Sequence, residues 1–96
     1  MATFISLMSW TDQGVRTFEG TVERYRATAE LAKRLGGELK QVYWTIGPYD
    51  IVSIAEFPDD EAGAAFLLAL GAKGNLHTTT LRGYPPDQMQ EIIGRA

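Results

Sequence analysis

Two extended segments, residues 38–46 and 50–57, are separated only by Gly47-Pro48-Tyr49. A gap that short dictates an antiparallel hairpin, because a parallel pairing needs a crossover of a dozen or more residues. On either side of this hairpin lies a helical pattern, and beyond each helix another extended run. In residues 21–35, Val22, Tyr25, Ala29, Ala32 and Leu35 recur at helical spacing, with Glu23, Arg26, Glu30, Lys33 and Arg34 on the polar side. Gly36-Gly37 stops this helix, and Thr21 is read as its N-cap. A second helix starts at Pro58-Asp59-Asp60-Glu61, whose carboxylates suit free backbone N–H groups and the positive helix end. It continues through the Ala- and Leu-rich residues 62–70, anchored by Phe66, Leu67 and Leu70.

Residues 2–10 read as the first strand, led into the helix by Thr11-Asp12-Gln13-Gly14, and residues 75–84 as the last. Three consecutive threonines, Thr78 to Thr80, favour a strand over a helix. Pro85-Pro86 ends that strand, and residues 87–93 form a short helix on Met89, Ile92 and Ile93. The order β-α-β-β-α-β plus a terminal helix predicts an α+β, ferredoxin-like sandwich with a four-stranded antiparallel sheet. The length of 96 residues suits a single domain, 1–96. Both helices are expected on one sheet face. The other face is then expected to carry large apolar residues from among Phe4, Met8, Tyr43, Trp44 and Phe57. In the second strand, Leu39, Gln41, Tyr43 and Thr45 are read as one face and Lys40, Val42, Trp44 and Ile46 as the other. So much apolar surface asks for a second subunit, so a homodimer or higher homo-oligomer is expected.

Composition narrows the chemistry. The chain has no cysteine, which removes disulfides, thiolate nucleophiles and Cys-based zinc sites. A formal net charge of -3 and nine scattered Lys and Arg residues argue against nucleic acid as a partner. No basic segment leads into a long apolar run, and the most apolar stretch is half the length of a membrane span. A cytoplasmic protein with no membrane partner is the expectation. Zinc-protease, Walker, dinucleotide-fingerprint and nucleophile-elbow patterns are all absent, and neither a metal nor a cofactor is expected.

The remaining candidates are single residues. His77, the one histidine, with Tyr43 and Asp50 forms the candidate set for proton transfer. A histidine with no carboxylate at a telling distance is more often an interface or surface residue, and Asp50 equally suits a structural role in the turn. Trp10, Trp44 and Tyr49 offer amphipathic walls for an organic ligand, or else fill a core or interface. Arg24 and Arg82 suit a substrate carboxylate, or else surface ion pairs.

Several segments carry a family resemblance. They are Thr3-Phe4-Ile5-Ser6-Leu7, Trp10-Thr11-Asp12-Gln13-Gly14, Leu35-Gly36-Gly37-Glu38-Leu39, the run from Val42 to Asp50, Pro58-Asp59-Asp60-Glu61, and the run from Gly74 to Arg82. In this order, across residues 3–84, they resemble the small GYD-domain proteins, whose Gly-x-Tyr-Asp pattern falls on Gly47, Tyr49 and Asp50. The resemblance implies a dimeric α/β barrel built from ferredoxin-like subunits, and attaches no catalytic role to the three namesake residues. Three functions remain open. The leading one is a small oligomeric domain that binds a small organic ligand. The others are a cofactor-independent isomerase or oxygenase on such a compound, and a regulatory or scaffold module that binds another protein.

Overall fold

A computed structural model describes all residues 1–96. Four strands make one antiparallel sheet: β1 (Ala2–Trp10), β2 (Glu38–Trp44), β3 (Ile51–Phe57) and β4 (Leu76–Gly83), in the spatial order β2-β3-β1-β4. Four α-helices accompany them: α1 (Asp12–Arg16), α2 (Thr21–Arg34), α3 (Asp60–Ala72) and α4 (Pro86–Arg95), with a 3₁₀ turn at Phe18–Gly20. No helix is long and apolar enough to cross a membrane.

The predicted strand and helix order is the observed one, and the terminal helix is present. Barrel closure is not. The sheet has two free edges, β2 and β4, and no hydrogen-bonded ladder joins them. Closing a barrel requires strands enough to bring the first and last into register, and a four-stranded twisted sheet with helices on one side stays open. The likeness to α/β-barrel proteins drawn from the sequence is corrected on this point.

The core lies between the sheet and α2 and α3. Met8, Ile51, Ala55 and Phe57 from the strands meet Ala32 of α2 and Phe66 and Leu70 of α3. Phe57 packs its ring 5.0 Å from Phe66 and 5.9 Å from Phe4. Asp59, not Thr21, supplies a side-chain N-cap: its Oδ1 accepts from the Ala62 N–H at 2.8 Å. The N-cap position of α2 is Gly20, and Thr21 is the first helical residue.

One residue decides which side chains of β2 reach this core. Leu39 pairs with Ala55 and Gln41 with Ile54, so Lys40 is a bulge with no partner on β3. The bulge reverses the parity of the strand. Leu39, Val42 and Trp44 therefore share the helix-covered face, and Gln41 and Tyr43 share the other. Phe4, Met8, Trp44 and Phe57, expected as candidates for the far face, all pair across the covered one. Of that group only Tyr43 faces away from the helices.

Candidate functional site

The uncovered face is nonetheless apolar. Ile5 pairs with Ile54 on one side and Leu81 on the other, and Leu7 pairs with Val52 and Thr79. Tyr43 sits opposite Val52. Ile5, Leu7, Val52 and Ile54 are half-buried only because they crowd one another, while Tyr43 and Leu81 are 58% and 50% exposed. No helix lies over them. The terminal helix α4 has no buried residue, and its Met89, Ile92 and Ile93 are all exposed.

A cavity of about 390 Å³ occupies the covered side, between the sheet and the N-terminal half of α2. Its origin is legible in the helix. Thr21, Arg24, Tyr25 and Thr28, at helical spacing, all line it. None is aliphatic, whereas the following turns supply Leu31, Ala32 and Leu35 to the core. The helix thus packs tightly at its C-terminal end and leaves room at its start. Met8, Val42, Ile51 and Ser53 make the sheet side, and Phe66, Leu70 and Leu76 close the end. The volume falls within the range of small-molecule sites, about 300–1,000 Å³.

Both tryptophans of the chain line the cavity, but their indole N–H groups differ. Trp44 Nε1 donates to Thr21 Oγ1 at 3.0 Å, and its ring stands edge-on to Tyr25 at 5.9 Å. Trp10 Nε1 is sealed from solvent with no acceptor. Leaving such a donor unpaired costs about 1–3 kcal/mol.

The residues singled out from sequence fall into separate places. Trp10, Trp44 and Arg24 come together at the cavity. The Arg24 guanidinium also ties the chain ahead of α2: Nη1 donates to Thr17 O at 2.8 Å and Thr17 Oγ1 at 3.1 Å, and Nη2 to Gly14 O at 3.2 Å. Arg82 lies elsewhere. It stacks on Phe4 and Tyr84, and its Nε donates to Asp60 Oδ1 at 3.1 Å. Tyr43 and His77 face away from the helices on the two opposite edge strands, three strand spacings and two further residues apart.

Asp50 and Tyr49 belong to the turn. Asp50 Oδ2 accepts from the Trp10 N–H at 2.9 Å, and Asp50 N–H donates to Met8 O at 2.8 Å. Thr45 Oγ1 donates to Tyr49 O at 2.6 Å, closing a turn in which Gly47 has φ +141°, a conformation other residues rarely adopt. The Gly-x-Tyr-Asp pattern is therefore a latch that holds the hairpin turn to the end of β1, beside the cavity. The Trp-Thr-Asp-Gln-Gly segment is a second latch. Thr11 Oγ1 donates to Gly74 O at 2.6 Å, and Gln13 Nε2 donates to Lys73 O at 3.1 Å and Asn75 Oδ1 at 3.0 Å. Gly14 packs so closely there that a Cβ would stand 2.1 Å from Asn75 O.

Sequence reasoning passed over Tyr25, Thr28, Ser53 and Lys73 as lining residues. The spacing of Thr21, Tyr25 and Thr28 was the available signal for α2. Ser53 and Lys73 had none, since their placement depends on strand pairing and on where α3 ends.

Comparison with known proteins gives matches of three kinds. A model of the GYD domain matches residues 4–93. A "Glutamine synthetase and cystathionine beta-lyase binding protein" of Thermus thermophilus is 35% identical over 96 residues, spanning 99% of this chain and 98% of that protein. The crystal structure of a Thermus thermophilus protein aligns with a TM-score of 0.54 at 27% identity, over 88% of this chain and 99% of the other.

Proposed function

The chain belongs to the GYD domain family, and on that premise we propose that it is a protein-binding module that docks a partner enzyme on its uncovered sheet face. The observation that carries this is the apolar stripe of Ile5, Leu7, Val52, Ile54, Tyr43 and Leu81, which no helix covers. Contiguous apolar surface of this kind marks interaction sites.

The Thermus relative is named for binding two enzymes, and the proposal extends that class of partner to this chain. The module is taken to work in the cytoplasm, the compartment the sequence favours. The test uses purified glutamine synthetase and cystathionine β-lyase from the source organism, immobilised and titrated with the wild-type chain and with Leu81→Lys. At least one enzyme should bind, and Leu81→Lys should weaken binding by about tenfold or more, since it places a charge in the apolar stripe. Failure of both enzymes to bind overturns the proposal. So does a wild-type homodimer that Leu81→Lys converts to monomer while enzyme binding persists, because the face would then belong to a second copy.

A second reading rests on the cavity under α2. Its apolar walls and about 390 Å³ suit a small organic ligand held on the opposite side of the sheet from the docking face.

A further inference from the structure

The geometry points to a small apolar carboxylic acid as the occupant of the cavity under α2. This inference rests on the ligand-binding reading of that cavity and names the ligand class. Three observations converge on it. Most lining residues are apolar, so the body of the ligand is an aryl or alkyl group. The only charged lining residues are Arg24 and Lys73, both cationic, and no carboxylate lines the cavity. Neither cation takes part in any of the molecule's four ion pairs. Arg24 has only neutral oxygens as acceptors.

Outside the cavity four of the seven Lys and Arg side chains are paired, and Arg16, Arg34 and Arg95 are not. Arg26, Lys33, Lys40 and Arg82 each have a carboxylate within 4.0 Å. A part-buried guanidinium beside an apolar cavity, with no counter-charge, favours an anion that brings its own apolar body. Two lining residues also carry hydrogen-bonding groups suited to a carboxylate: Trp10, whose indole N–H is buried at the wall with no partner, and Ser53, only 4% exposed. A neutral hydrocarbon would leave the Trp10 donor and the Arg24 charge unanswered, and a cationic ligand would meet two like charges.

The two indole N–H groups give a direct readout, since Trp44 already donates to Thr21 and Trp10 donates to nothing. We would follow both indole resonances by nitrogen-resolved NMR while titrating phenylacetate and octanoate, and in parallel phenylacetamide and octanamide. The amides keep shape and lose charge. An acid should bind about tenfold or more tighter than its amide. It should move the Trp10 resonance more than the Trp44 resonance. Arg24→Gln should remove most of the difference between acid and amide. If Arg24→Gln unfolds through loss of its ties to Thr17 and Gly14, Lys73→Gln, at an exposed position, reports instead on the cationic preference. Equal binding of acid and amide overturns the carboxylate assignment and leaves the cavity reading standing. No binding of any of the four compounds overturns both. The phenyl and octyl arms separate aryl from alkyl acids.

Discussion

The carboxylate of Asp50 takes over where the β1–β3 ladder runs out. The last paired residues are Met8 and Ile51, and the next β1 group that points toward β3, the Trp10 N–H, is met by Asp50 Oδ2. Asp50→Ala leaves that part-buried donor without its charged acceptor and should cost about 1–3 kcal/mol. Asp50→Asn keeps an acceptor oxygen and should cost less. Urea unfolding of the two variants checks the order. The sequence placed this aspartate at a turn and suggested that its carboxylate accepts N–H bonds of the turn itself, whereas the bond it makes goes to β1. It did not show that the bonded N–H belongs to Trp10, forty positions away in the chain. The same limit separates Arg24 from Arg82. Both are arginines beside aromatic residues, and only the fold puts one at the cavity and the other against Asp60.

At the scale of elements, periodicity made most of the architecture readable, because a two-residue repeat and a 3.6-residue repeat are distinct over seven or more positions. The hairpin, both long helices and the strand order follow from it. The bulge at Lys40 does not, since a bulge is a mismatch between two strands and leaves no mark within one. That single residue decided the faces of Tyr43 and Trp44, putting Trp44 at the cavity and Tyr43 on the uncovered face. Deleting Lys40 would restore a regular ladder and force either Leu39 or the Val42 and Trp44 pair off the covered face. The loss should be about 1.5–3 kcal/mol, whereas Lys40→Ala should cost less than about 0.5 kcal/mol. Comparing the two by thermal unfolding isolates register from side chain. The start of α3 makes a plainer case. Asp59→Ala removes the acceptor for the Ala62 N–H and should cost about 1 kcal/mol, with Asp59→Asn close to wild type.

The whole molecule is a slab. Its extents are 48 × 30 × 17 Å and its radius of gyration is 14.2 Å, against about 12.5 Å for a compact chain of this length. α4 is the least embedded element, since it buries no residue. Removing residues 86–96 should therefore change unfolding free energy by less than about 0.5 kcal/mol. Small-angle scattering should show the radius falling toward the compact value. If α4 instead stabilises the sheet, the truncated chain will unfold at markedly lower denaturant. The barrel expected by analogy fails at this same scale, because closure depends on how many strands share one sheet and on where its edges end.

β1 and β3 present Met8 and Ile51 to the cavity, and Leu7 and Val52 to the uncovered face. On these two strands every residue is therefore answerable to one surface or the other. Substitution would be tolerated unevenly across the protein as a result. A saturation-mutagenesis survey should find the central strands intolerant at odd and even positions alike, with variation confined to the edges, the turns and α4. Descendants of this sequence would then diverge by remodelling their margins, while the two middle strands change slowly and together.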